Sequence, residues 1–238
     1  MKILLISHYW QPFNNSGTFR WLNFGKYIKF DVLTSKKPVN SFIDKTIENT
    51  AENVYRFGKC KAVIWGFLAC LFVKKYDYYI ITSPPETLLF CAWILQLRGK
   101  KVLVDMRDEI DRNHQQIKAL IPFYRFLYRK IKNIIVSWQF IDESKTCVYH
   151  GYELDEKVKF KGYYVNRVNH RNFIELLKLG YMPDQSNKPD GYVISSFHTF
   201  KKLGFQINFN YHKELDNIVP ESIETQANKI LSLITRAK

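Results

Sequence analysis

The sequence is short of acid. It carries 22 Asp and Glu against 36 Lys and Arg, a formal net charge of +14. A surface so unbalanced attracts polyanions: nucleic acid, an anionic membrane face, or the phosphates of a nucleotide. Cysteine is also scarce. Cys60, Cys70, Cys91 and Cys147 are widely spaced and make no Cys-x-x-Cys pair. That excludes a zinc site built on such pairs and points to reduced, buried thiols in a cytosolic protein. Long apolar runs are missing. The longest, residues 62–73, falls short of the ~20 residues that cross a bilayer. No leader-like stretch opens the chain, so it is expected to be soluble or peripheral, in the cytoplasm. The glycine triplet of a dinucleotide-binding turn is absent: the first loop has Gly17 where that motif needs three. Internal repeats and low-complexity tracts are lacking too.

What is present is a globular composition, 46% hydrophobic and 24% charged. Aromatics reach 16%, more than a core alone requires, so some rings are expected to line a site. The chain is organised around its opening. An apolar run at 3–6 has strand length and β-branched character, and a loop rich in Pro and Asn follows. Ser16-Gly17-Thr18 then leads into Phe19, Leu22, Phe24, Tyr27 and Ile28 at helical spacing. A strand feeding a glycine turn and a helix N-terminus is an anion site, because unpaired N–H groups and the positive end of the dipole face the ligand.

Further strands are expected at 30–34, 53–57, 78–82, 101–104, 134–136 and 146–149, with residues 40–52 as a polar loop. Helices are expected at 62–74, apolar nearly all round, at 86–98 before Gly99, and at 122–132, basic and aromatic. This alternation means βαβ units and a parallel sheet. Ligands of such sheets bind beyond the carboxyl ends of the strands. Three loops meet that description: 7–17, 83–86 and 105–111. A junction falls near 150–156. Beyond it come strands at 158–164, 192–195 and 205–209, and helices at 173–179, 197–203 and 222–237.

Three pieces carry a resemblance. Lys-Ile-Leu-Leu-Ile-Ser-His-Tyr-Trp-Gln-Pro, with Ser16, Gly17 and Arg20, opens the chain. Tyr-Asp-Tyr-Tyr-Ile-Ile-Thr-Ser-Pro-Pro spans 76–85, and Val-Leu-Val-Asp-Met-Arg-Asp spans 102–108. In this order they resemble the first domain of the two-domain GT-B glycosyltransferases, in the pattern of the large GT4-like group. The resemblance covers about the first 150 residues. It implies two Rossmann-like parallel-sheet domains facing a cleft, the C-terminal one reduced. The implied division is 1–150 for the acceptor, 151–221 for the nucleotide sugar, and 222–238 as a helix packing back towards the first domain. One departure stands out. The segment 191–204 corresponds to the one that carries a pair of glutamates in that group, and here the two positions fall on Tyr192 and Thr199, neither of them acidic. Ribose recognition must then differ, or donor binding is lost.

Sugar transfer must stabilise the departing diphosphate, hold the acceptor hydroxyl in line and, in an inverting enzyme, remove its proton. The resemblance implies a nucleotide-sugar donor, with a UDP-sugar first, no bound cofactor and no metal. No Asp-x-Asp motif is present. Donor contacts are expected from Ser16, Gly17, Arg20, Arg167 and Arg171, and by family position from Ser195, Ser196 and His198. Arg107 and Asp108 are expected on the acceptor side, Asp108 as base, with His8 as a further catalytic candidate. Ser83 and the cations Arg125, Arg129, Lys130 and Lys132 are acceptor or DNA contacts. Arg125, Arg129 and Lys132 would share one helix face.

Two acceptors fit the charge. One is DNA, since phages with hydroxymethylated cytosine glycosylate it with GT-B-type enzymes. The basic surface, the aromatics that could stack on a flipped base, and a Lys-, Tyr-, Phe- and Ile-rich composition place it first. The other is a lipid-linked or surface glycan, with the apolar helix at 62–74 lying in the membrane interface. A third reading, from the missing Glu pair, is a non-catalytic binding protein that kept the fold.

Overall fold

A computed structural model of the chain describes residues 1–14, 16–36, 38, 42–43, 48–59, 61–73, 75–108, 110, 117–137, 142, 144–148, 162–165, 192–195 and 222–236. Two compact units result: Met1–His150 with Glu224–Lys238, and Gly151–Ile223.

In the first unit the short apolar runs become strands because both of their faces are covered. They are β1 (Ile3–Ile6), β3 (Asp31–Ser35), β5 (Val54–Phe57), β6 (Tyr78–Ser83), β7 (Val102–Met106), β8 (Ile134–Val136) and β9 (Thr146–Cys147). All seven pair in parallel, in the order β5-β3-β1-β6-β7-β8-β9. Numbered along the chain this is 3-2-1-4-5-6-7, the doubly wound order of a Rossmann-like sheet. The winding reverses between β1 and β6, which opens a crevice at their carboxyl ends.

Three crossover helices cover one face: α2 (Ala62–Leu68), α3 (Leu88–Leu97) and α4 (Ile121–Lys130). Trp65, Leu88, Leu89 and Leu127 pack there on Leu4, Ile6, Ile81 and Val104. Each such fully buried side chain contributes roughly 1.5–3 kcal/mol. Strand alternation puts Leu5, Ile80, Leu103 and Asp105 on the other face. There α1 (Ser16–Phe24) packs through Trp21 and Phe24, both fully buried. A last helix, α5 (Ile223–Arg236), buries Ile223, Ala227, Ile230 and Ile234 along one stripe, in keeping with helical spacing.

Three expectations need correcting. The polar segment 40–52 is not all loop: β4 (Phe42–Ile43) pairs antiparallel with β2 (Phe13–Asn14). The helix expected over 62–74 ends at Leu68 and tightens into a 3-10 turn, Ala69–Leu71. The helix α4 ends at Lys130, so Lys132 does not share a helical face with Arg125 and Arg129. The reason is a side chain on α3. Gln96 Nε2 donates to the Lys130 carbonyl and Gln96 Oε1 accepts from the Lys132 N–H, both at 2.9 Å, and Ile131 between them is extended. The helix α3 itself stops where expected, with Gly99 at φ 70°.

In the second unit β10 (Gly162–Val165) pairs in parallel with β11 (Tyr192–Ser195). The helices expected at 173–179 and 197–203 and the strand at 205–209 lie outside the described residues. Among the described residues no helix is long and apolar enough to cross a membrane.

Candidate functional site

The four neighbouring strands β3, β1, β6 and β7 have apolar centres, and at or just past their carboxyl ends the chain turns polar. Ser7, His8, Thr34, Ser35, Thr82 and Ser83 are all buried. Buried polar atoms must find partners or leave a cost of about 1–3 kcal/mol each. Some are satisfied: Thr82 Oγ1 donates to Ser7 Oγ at 3.1 Å, and Ser7 Oγ to the Tyr9 carbonyl at 2.9 Å. Others have no hydrogen-bond partner among the described residues: Ser35 Oγ, Ser83 Oγ, Gln11 Nε2 and both ring nitrogens of His8. Unpaired buried groups gathered around a topological switch point make this edge the candidate ligand site.

Two arginines organise this edge. Arg20, on α1, forms a buried pair with Asp105 on β7, Nε to Oδ2 at 3.0 Å and Nη2 to Oδ1 at 3.2 Å. Its Nη2 also donates to the Val148 carbonyl at 2.7 Å, and Trp21 Nε1 donates to Asp105 Oδ2 at 2.8 Å. The guanidinium lies 4.8 Å from the Phe24 ring centroid. One carboxylate thus fixes the roll of α1 against β7 and the segment after β9. Arg20 is committed to this clamp, with only Nη1 lacking a partner.

Arg107 is held differently. It follows β7 and lies directly on the first turn of α1: a Cβ added to Gly17 would fall 1.8 Å from Arg107 Nη1 and 2.0 Å from Cζ. Any side chain at 17 would have to displace the Arg107 guanidinium. Arg107 Nη2 reaches the Pro84 carbonyl at a long 3.4 Å, and Nε has no partner. Its backbone is tied down, with N–H donating to the Ser83 carbonyl at 3.1 Å and the carbonyl accepting from Ser137 Oγ at 3.4 Å. Burial pushes the guanidinium below its ordinary range, and Asp105, Asp108 and Glu86 pull it back up. Guanidinium nevertheless stays charged in proteins. A buried cation, short of hydrogen-bond partners, at a helix N-terminus is chemically suited to receive an anion.

No protein-family model matches this chain, and no curated protein matches it.

The other expected site residues fall as follows. Ser16 begins α1. Asp108 is exposed beside Arg107. Arg125, Arg129, Lys130 and Lys132 are exposed on and after α4, away from the polar edge cluster in sequence. Ser195 closes β11, while Arg167, Arg171, Ser196 and His198 lie outside the described residues. Among the described residues no group of three His, Cys, Asp or Glu is placed to hold a metal ion. Asp105, Trp21 and Tyr9 join the site without having been singled out as site residues. Burial raises the Tyr9 hydroxyl's pKa, and nearby Arg107 opposes that rise. A signal for the clamp was available: Asp105 ends an apolar strand and Arg20 interrupts an apolar helix, and two buried charges of opposite sign must find each other.

His8 forms part of the floor. It is fully buried, with its ring edge-on to Tyr9 at 4.8 Å and to Trp65 of α2 at 5.2 Å. Burial lowers its pKa from 6.5 to about 4. At neutral pH the imidazole is uncharged, as a general base must be, but a group so depressed binds the proton weakly. The depressed value has a stability consequence. As pH falls from 6.5 towards 4, the unfolded chain takes up a proton at this residue and the folded one does not. Stability is therefore complete above that window and falls by about 3 kcal/mol across it. Urea unfolding between pH 7 and pH 4 is expected to show a shallower loss for His8→Phe than for the parent protein.

Proposed function

We propose that the chain is a nucleotide-sugar-dependent glycosyltransferase of GT-B type, whose first unit holds the donor diphosphate against Arg107 and the first turn of α1. The observation that carries this reading is the buried, under-bonded Arg107 guanidinium packed on Gly17 at the switch point of the sheet. Sugar transfer builds negative charge on the departing diphosphate. Donors fixed in advance and withdrawn from water stabilise that charge most, because they need no reorganisation as the bond breaks. Arg107 and the N–H groups of the α1 first turn are such donors. Asp108, next along the chain and exposed, takes the proton of the acceptor hydroxyl. The unit 151–223 is the reduced nucleotide-binding domain in this reading, and the acceptor is a hydroxyl on DNA or on a membrane-borne glycan.

The test is transfer of label from nucleotide sugars by the purified full chain. It is offered hydroxymethylcytosine DNA in one arm and lipid-linked glycan in the other. Label in either acceptor supports the reading. Absence of transfer and of donor hydrolysis across the common nucleotide sugars overturns it. Asp108→Asn is expected to abolish transfer with an unchanged circular-dichroism spectrum, and retained turnover removes Asp108 from the base role.

A further inference from the structure

Another cation stands at the carboxyl edge, on the far side of β1 from Arg107. Arg56 of β5 is half-buried, and burial pushes its guanidinium below the ordinary range, though it stays charged in proteins. Its Nη1 donates to the Ser35 carbonyl at 3.3 Å and its Nη2 to the Gln11 carbonyl. Two carbonyls engage only two of the five N–H donors of an arginine. No carboxylate meets Arg56 among the described residues. The two residues whose carbonyls it holds carry side chains that lack partners: Ser35 Oγ and Gln11 Nε2 are buried and unbonded. A cation, an amide and a hydroxyl thus gather with donors to spare. No acid stands near them in sequence. Residues 1–30, 32–43 and 53–76, which supply all of these groups, hold no Asp or Glu. Lys36 and Lys59 flank the cluster in the chain and are exposed. The Lys36 N–H, donating to the Phe57 and Gly58 carbonyls at 3.3 and 3.1 Å, ties the two strand ends together.

We infer that Arg56, Gln11 and Ser35 form a second phosphate site, which grips a phosphate carried by the sugar acceptor. The cluster offers donors and no carboxylate. A neutral sugar needs acceptors facing its hydroxyls as well, whereas an ionised phosphate only accepts. The planar guanidinium fork matches phosphate oxygens. The burial of Ser35 and Gln11 selects the kind of phosphate. They close the back of the cluster, so it receives a terminal group. A phosphomonoester presents three oxygens there, with close to two charges at neutral pH. The diester of a nucleic-acid backbone presents two, with one charge, and its chain must leave on both sides.

The spacing suits one ligand that reaches from Arg56 towards Arg107. Leu33 of β3 and Ile81 of β6 both pair with Ile6. Ser35 and Ser83 each lie two residues further along. They therefore stand level, with β1 between them, about 10 Å apart at ordinary strand spacing. Arg56 bonds the Ser35 carbonyl, and the Arg107 N–H bonds the Ser83 carbonyl. His8 follows β1 in the gap, its carbonyl accepting from Thr34 Oγ1 at 3.2 Å and from the Ser35 N–H at 3.4 Å. A phosphorylated monosaccharide spans such a gap. Its phosphate lies on Arg56, its ring beside the unpaired groups of His8 and Ser83, and its free hydroxyl towards the donor at Arg107. This placement rests on the transferase reading and narrows the acceptor to a saccharide phosphate. The phosphate site itself does not depend on that reading.

The experiment is calorimetry of the full chain carrying Arg107→Met, so that only the second site can answer, with inorganic phosphate, glucose 6-phosphate and dimethyl phosphate. The first two are expected to bind, and the diester at least ~10-fold more weakly, since it lacks one charge and one oxygen. Adding Arg56→Gln is expected to weaken glucose 6-phosphate on the order of 10–100-fold, the worth of hydrogen bonds to a charged group. Arg56 also holds two carbonyls, so Gln11→Met/Ser35→Ala is measured beside it. That pair removes only unbonded groups, leaves the Arg56 bonds in place, and is expected to weaken binding about 10-fold. No binding, binding that either variant leaves intact, or diester binding as tight as that of glucose 6-phosphate overturns the inference. In the transfer assay with Arg107 in place, label in glucose 6-phosphate supports it with a free acceptor. Label only in a phosphorylated lipid-linked glycan supports it with a membrane-borne one. Calorimetry uses no donor sugar. A protein that binds phosphate but transfers nothing overturns the transferase reading alone, and one that transfers without this second site overturns the phosphate site alone.

Discussion

Asp105→Ala is expected to lower folding stability by about 3–5 kcal/mol, the usual cost of breaking a buried pair by removing one partner. The substitution leaves the Arg20 guanidinium charged, fully buried and bonded only to the Val148 carbonyl, and it strands the Trp21 indole N–H as well. Neither group has water to turn to. Arg20→Ala errs in the opposite direction, leaving a buried carboxylate with the Trp21 N–H as its remaining side-chain donor. The double replacement Arg20→Met/Asp105→Leu restores charge balance with apolar volume. It is expected to be more stable than either alanine variant, because the pair's Coulomb attraction chiefly offsets its own desolvation. Urea titration followed by tryptophan fluorescence measures all three. Midpoints for the two alanine variants close to the parent's would show that Asp105 does not carry the clamp.

Arg107→Met is expected to separate function from stability. Removing a buried cation with unpaired Nε relieves a desolvation cost, so the variant should unfold at the parent's urea concentration or above. Loss of a preorganised donor to developing charge should at the same time reduce turnover by ~10²–10³-fold. Arg107→Lys should recover little of this, since a single ammonium cannot reproduce the planar fork. Gly17→Ala reaches the same end by another route: its methyl occupies the space of the guanidinium and turns Arg107 out of the seat. Kinetics with saturating acceptor, together with nucleoside-diphosphate affinity by calorimetry, measure the effect. Full affinity in a folded Arg107→Met protein would move the anion elsewhere.

The parallel sheet was legible because its central strands carry short apolar runs punctuated by Ser83-Pro84-Pro85 and Gly99, and covered strands leave just that trace. What escaped was decided by contacts distant in sequence. Nothing near Lys132 says that α4 stops at Lys130, because the group that ends it, Gln96, lies on another helix. The antiparallel pair of β2 and β4 rests on two-residue strands far apart in the chain, too short for any period to show. Asp105 and Arg20 were both visible as charges in apolar surroundings, yet their pairing spans 85 residues. For the candidate site, residue types at the strand ends pointed to the edge of the sheet where the unpaired buried polar groups gather. They did not distinguish Arg20, spent on the clamp, from Arg107, left short of partners.

The first unit is assembled from two pieces of chain, residues 1–150 and the helix α5. Ribosomal synthesis therefore imposes a wait. The sheet can form as soon as β9 emerges, but the surface that receives Ala227, Ile230 and Ile234 stays open while the whole intervening unit is made. At the usual elongation rates that is about 4–15 s. A nascent chain holding an uncovered apolar surface for so long is a substrate for chaperones. The protein's yield in the cell would then be governed less by its final stability than by how well that interval is guarded.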